Sequence, residues 1–365
     1  MANKRSRRTR PPNRRASRLR KSIRRAKSAP AASPVTLAQA RALAKVRAPA
    51  ARGAKVALVA TSPASVGLER RKLELKQAQE RRRRIKEYKT TLAIMKKRGV
   101  KGLAPRTGKA ARAPKTATKP LQVFAEGDSW FDYPVPFFGG GIIPRLEAKL
   151  GVPILNLAKA GDEVRYMLGV KERRLLIAQF INGCPAGGPW DAMLFSGGGN
   201  DVVDNPLALW IKDYNPGLPP AALIHQGRLD AALTLVRAAY EDLIGLRDSL
   251  SPNTRLFFHG YDFAIPDGRG ICHLGPWLKP TFDLRGFPTQ ASAFGVMKVL
   301  LEQFAAMLRS VELSHARVTV IDSQGTLDPG PGSWHNELHP SKDGFKAFAK
   351  LWHDSLKAAF PNRVL

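Results

Sequence analysis

Residues 121–133 read Leu-Gln-Val-Phe-Ala-Glu-Gly-Asp-Ser-Trp-Phe-Asp-Tyr. The run from Leu121 to Ala125 has the apolar character of a strand buried in a parallel sheet. It gives way to Glu126-Gly127-Asp128-Ser129-Trp130, a turn that lifts one serine hydroxyl above the carboxyl end of the strand. Open α/β sheets hold their sites at that end. A Gly-Asp-Ser tripeptide alone marks only a turn, so its meaning depends on the partners that the rest of the chain supplies.

Downstream, Phe131, Tyr133, Pro134, Pro136, Phe137 and Phe138 precede Gly139-Gly140-Gly141. That density of Pro and Gly predicts a loop beside the serine, with a helix over 142–150. A second buried strand is expected over 152–158, followed by Lys159-Ala160-Gly161-Asp162. A glycine there allows close backbone approach and lets its N–H point into the site. A helix follows over about 163–181. The third strand, 190–196, runs into Gly197-Gly198-Gly199-Asn200-Asp201, where the Asn200 amide is a donor able to face an oxyanion and Asp201 braces the turn. Strands at 255–258 and 318–321 alternate with helices over 227–249 and 289–311. Such alternation predicts an α/β fold with a parallel, doubly wound sheet; the pattern leaves the strand order open.

Near the end, Trp334-His335-Asn336-Glu337-Leu338-His339-Pro340 leads into a helix over 341–359. Of the seven histidines His339 stands out, because Pro340 ends an extended turn and Ser341 is placed to cap the helix. That arrangement holds an imidazole at a rigid helix entrance. Metal-ligand spacing is missing from the sequence. Cys184 and Cys272 are too few for a disulfide framework, though one bridge between them stays open.

Upstream the charge changes. Residues 1–120 hold 37 of the 60 Lys and Arg but only four acids, Glu69, Glu74, Glu80 and Glu87; residues 121–365 carry 23 basic and 25 acidic groups. The sequence pI of 10.7 therefore describes a tail. A basic, largely disordered extension over 1–120 is expected, with linkers at 29–66 and 99–120 and a helix near 68–98 carrying Leu68, Leu75, Ile85, Leu92 and Met95. Its charge suits non-specific contact with a polyanion, either nucleic acid or an anionic membrane, or an organellar transit role; a solvated tail without a partner is the plainer alternative. Tyr88 is the only aromatic residue there, so base stacking has little to use. Without a run near the ~20 apolar residues of a membrane span, or a clear signal peptide, the chain is expected to be soluble and cytoplasmic.

Gly127-Asp128-Ser129, Gly161, Gly199-Asn200-Asp201 and His339-Pro340 occur in this order, each after the expected element, and together resemble the SGNH (GDSL-type) hydrolases over residues 121–365. The resemblance implies a three-layer α/β/α sandwich around a five-stranded, flavodoxin-like parallel sheet. It implies Ser129 as nucleophile, His339 as base, and an oxyanion hole of the Ser129 N–H, the Gly161 N–H and the Asn200 amide. The activity implied is hydrolysis of a small-molecule or lipid ester through an acyl-Ser129 intermediate, without cofactor or metal. Phe137-Phe138, Leu207–Ile211 and Pro276-Trp277-Leu278 are expected to supply apolar pocket walls. A non-catalytic scaffold carrying a polyanion-binding tail is the alternative. The family places Asp three residues before the histidine, where this chain has Asn336. An amide oxygen there can orient His339 but brings no charge, and the equivalent exchange in serine proteases costs about 10⁴ in rate. His335 is the rival base, and Glu337 is expected to point away.

Overall fold

The structure is a computed structural model that describes residues 34–44, 63–98, 120–133, 140–271, 275–330 and 332–364. Strands β1 (Val123–Gly127), β2 (Ile154–Asn156), β3 (Ala192–Ser196), β4 (Arg255–His259) and β5 (Val318–Ile321) form one parallel sheet in the order β2-β1-β3-β4-β5. This is the doubly wound order of flavodoxin-like sheets, in which the chain reverses direction beside β1 and opens a crevice there. β1 lies between β2 and β3, with Val123 opposite both Ile154 and Ala192, so every residue of β1 is buried. Gly127 ends it because β3 passes too close for a side chain: a Cβ would meet the Ser196 carbonyl oxygen at 2.6 Å.

The longer helices are α1 (Leu37–Ala44), α2 (Pro63–Arg98), α3 (Ile142–Leu150), α4 (Val170–Asn182), α5 (Gln226–Leu250), α6 (Gln290–Ser314) and α7 (Lys342–Ala359). Right-handed crossovers put the leftward connection, α3, on one face of the sheet and the rightward ones, α4 to α6, on the other. α7 returns to pack beside α3. Thr289 and Ser341 cap α6 and α7 by accepting the Ser292 and Gly344 N–H groups. By length and composition α6 could cross a bilayer, although Lys298 and Glu302 interrupt its apolar run. It packs as a core helix, with Val296, Leu300, Phe304 and Leu308 buried. The single helix expected over 163–181 divides into a turn, Val164–Met167, and α4. They part at Gly169, where a Cβ would lie 2.8 Å from the Arg165 carbonyl oxygen.

The structure redraws the basic third. The stretch read as a linker contains α1, which opens on a reciprocal cap: Thr36 N–H donates to Gln39 Oε1 and Gln39 N–H to Thr36 Oγ1. Its Leu37 and Ala40 pack on Met95 of α2. α2 itself lies against β2, the edge strand, and so covers backbone that would otherwise be open to pairing. Among its described side chains, Arg81, Tyr88, Thr91 and Met95 are buried. Arg81 reaches Glu126 of β1 at 2.9 Å and Glu172 of α4 at 2.7 Å. The packed body therefore includes the helix upstream of residue 121.

Candidate active site

Ser129 follows β1 on a turn held by Asp128. The Asp128 carboxylate accepts the Trp130 N–H and the hydroxyls of Ser196 and Tyr261, at 2.9, 2.9 and 2.6 Å. Burial still pushes that carboxyl up to about 6. Ser196 gives its proton to Asp128, so it must accept from His259 Nε2, 2.8 Å away. This makes His259 a neutral, buried prop, and burial holds it down at about 3. Tyr261 in turn accepts the Gly199 N–H, which ties the serine turn to the glycine-rich turn after β3.

His339 arrives from the entrance of α7. Its Nε2 is 2.6 Å from Ser129 Oγ and its Nδ1 2.9 Å from Asn336 Oδ1. The same Asn336 oxygen accepts the N–H groups of Leu338 and His339, which identifies it as oxygen. Nδ1 must then carry the proton, and Nε2 is a bare acceptor for the serine hydroxyl. Asn336 Nδ2 donates to the Tyr133 hydroxyl, which donates to His335 Nδ1. His335 is thereby engaged away from Ser129. Burial, with His335 nearby, lowers His339 to about 3, so its neutral form prevails across ordinary pH. Glu337 points away, accepting N–H groups from Gly268, Trp277, Leu278 and Lys279.

Gly161 and Asn200, the other two donors expected from the sequence, lie on neighbouring loops. Gly161 has φ +80°, a left-handed conformation that favours glycine. Asn200 Nδ2 donates to the Asp162 carbonyl at 2.9 Å, which fixes the amide and leaves its second N–H available. Asp201 accepts the Val164 N–H and so ties the glycine-rich turn after β3 to the start of the Val164–Met167 turn. The cleft above Ser129 is small, with a cavity volume of about 40 Å³, and Val203, Ala264, Leu301 and Leu338 line it beside the polar groups of Asn200, Asp262 and His339. These walls replace Leu207–Ile211, where Leu207, Trp210 and Ile211 are buried in the core instead. Trp277 does reach the site, with its ring 5.8 Å from that of His339, whereas Leu278 is buried. Phe137, Phe138, Cys272 and His273 lie outside the described residues. Cys184 is buried with its Sγ 3.5 Å from the Tyr88 hydroxyl. Among the described residues, no His, Cys, Asp and Glu side chains cluster as metal ligands.

Sequence reasoning did not single out Ser196, Tyr261 and His259, which hold Asp128. The only signal was their position at the carboxyl ends of β3 and β4.

The sheet order, with the four motif segments at the carboxyl end of the sheet and the entrance of α7, gives the chain an SGNH hydrolase-like fold. No family model matches the sequence, and no curated protein matches it. Among solved structures, the chain is similar to a lipase from a goat rumen metagenome (17% identity, 64% of this chain and 97% of that one, TM-score 0.43). It is also similar to an extracellular lipase of Streptomyces rimosus (15%, 64% and 99%, 0.40). A third is a family 3 carbohydrate esterase of Clostridium thermocellum (16%, 66% and 99%, 0.36). At such identities and scores the fold rests on the sheet order and register given above.

Proposed function

We propose that the chain hydrolyses carboxylic esters through an acyl-Ser129 intermediate. The observation that carries this reading is the line Ser129 Oγ–His339 Nε2, with Nδ1 held by Asn336. Serine becomes a nucleophile when a base removes its proton. His339 Nε2 takes the Ser129 proton as Oγ attacks the ester carbonyl carbon. The charge that develops on the carbonyl oxygen is met by the N–H groups of Ser129 and Gly161 and the second N–H of Asn200. One such donor is worth roughly 2.7–4 kcal/mol. The C–O bond breaks, the alcohol leaves with the proton from Nε2, and water then repeats the sequence on the acyl group. The apolar side chains of Val203, Leu301 and Leu338 and the small volume of the cleft favour a short acyl group there.

Turnover of p-nitrophenyl esters across acyl lengths tests the reading. Activity that disappears in Ser129→Ala and in His339→Ala supports it. A wild type inert on every ester, and unlabelled by a serine-directed phosphonate, sinks it.

A second reading concerns the basic region. The outer side of α2 exposes Arg82, Lys86, Lys89 and Lys97, while its Tyr88 and Met95 are buried in the body. A helix whose apolar side is already occupied has none to insert into a bilayer, which favours contact with the phosphate backbone of nucleic acid. Tyr88 is unavailable for stacking, so binding should be sequence-blind and salt-dependent. A triple Ala replacement of Arg82, Lys86 and Lys89 should flatten the salt slope of duplex binding by about 2–3 charges. An unchanged slope would remove α2 from the contact.

A further inference from the structure

α2 does more than cover the sheet edge. Three of its side chains reach the two backbone segments that carry the proposed nucleophile and oxyanion donors. Arg81 pairs with Glu126, three residues before Ser129. Arg84 pairs with Asp132, three residues after it, and donates to the Ala158 carbonyl at 2.6 Å. Gln77 Nε2 donates to the Ala160 carbonyl at 3.2 Å.

The last contact has a geometric consequence. The Ala160 carbonyl and the Gly161 N–H belong to one planar, trans peptide unit, so they point in opposite directions. The neighbouring unit shows the same logic: Arg84 holds the Ala158 carbonyl on the α2 side, while the Lys159 N–H reaches the other way to Gly127 O at 2.8 Å. β2 lies between α2 and β1. A carbonyl drawn toward α2 therefore turns the Gly161 N–H toward the β1 end, where Ser129 stands. Gly161 itself resists this little, because with φ +80° and open space on its Cβ side it lacks steric restraint of its own.

We infer that Gln77, on the basic region upstream of the sheet, is a positioning residue that aims the Gly161 N–H at the developing oxyanion, with Arg81 and Arg84 holding α2 in register. The inference rests on the hydrolase reading above and extends the site to a helix outside the four motif segments.

The experiment compares full-length Gln77→Glu, which replaces the donor with a repelling carboxylate, and Gln77→Lys, which restores a donor. Gln79→Ala, on an exposed position two residues away, is the control. For p-nitrophenyl butyrate, Gln77→Glu should lower kcat about 10- to 100-fold with KM within about twofold. Gln77→Lys should recover most of the loss, and Gln79→Ala should match wild type. Thermal midpoints measured alongside remove any variant that is simply unfolded. Hydrogen exchange of the Gly161 amide, followed in full-length Ser129→Ala protein with and without Gln77→Glu, reads the brace without turnover. Faster exchange together with the kcat loss bears the inference out. Unchanged exchange overturns the brace whatever the kinetics, and faster exchange with full kcat overturns its role in the reaction. An inert wild type instead overturns the hydrolase reading, and the exchange result then still decides whether Gln77 holds the loop.

Discussion

Asn336 stands where a carboxylate would give His339 a full charge. Its oxygen accepts Nδ1–H and two backbone N–H groups, so the tautomer suits a base at Nε2, but under the proposed mechanism an imidazolium would gain only a dipole from it. Two consequences follow for the pH profile. Burial keeps wild-type His339 neutral far below the usual imidazole range, so kcat/KM should stay flat from pH 8 down to about 5. In Asn336→Asp, the new carboxylate would keep the Nδ1–H bond and accept from the Tyr133 hydroxyl. It would favour the charged imidazole, so kcat should rise about 10-fold or more while the acid limb of kcat/KM moves up toward 6.5. An unmoved limb would show that position 336 does not govern the base. Asn336→Ala removes the side-chain oxygen that accepts Nδ1–H and should cost at least about 10²-fold in kcat. The motif residues were legible because each follows a strand or precedes a helix that its own neighbours announce. The props of Asp128 were not, since Ser196, His259 and Tyr261 look in sequence like ordinary strand-end residues.

At the scale of elements, Glu337 joins the His339 loop to the segments around 268 and 277–279. It is buried and accepts four backbone N–H groups, two on each carboxylate oxygen. Glu337→Gln keeps the shape but puts an NH₂ against donors, leaving buried N–H groups unmatched at about 1–3 kcal/mol. The urea midpoint should fall accordingly. KM should rise, because Trp277 sits on this brace beside His339; a full-stability variant with unchanged KM would detach Trp277 from the cleft. The strands were readable within a residue or two because each is an apolar run ended by Gly or a polar turn. α1 was overlooked because the composition of 29–66 was weighed as a whole, while the Thr36–Gln39 capping pair was the local signal. The docking of α2 was hidden for another reason. Arg81 and Arg84 are chemically the same as Arg82 and Arg83, and only their helical phase with Tyr88 and Met95 sets them apart.

For the whole molecule, the division of charge between a basic tail and a nearly neutral body leaves several carboxyls in the body at low-dielectric positions. Burial raises Glu126 to about 8, despite Arg81 beside it, and raises Asp128 and Asp201 to about 6. Each of these groups binds its proton more tightly folded than unfolded. Between the unfolded carboxyl range near pH 4 and the folded values, these carboxyls therefore hold more protons in the native state and pull stability down as pH rises, whereas His259 and His339, held near 3 by burial, push it up until their unfolded range near 6.5 is passed. Above about pH 7 Glu126 alone of these groups still titrates, so denaturant midpoints should fall from pH 7 to pH 8. Glu126→Gln carries no titrating proton, so it should flatten that part of the curve. If the wild-type midpoint instead rises from pH 7 to pH 8, Arg81 outweighs burial at Glu126, and α2 is held to the sheet by a charged pair throughout that range.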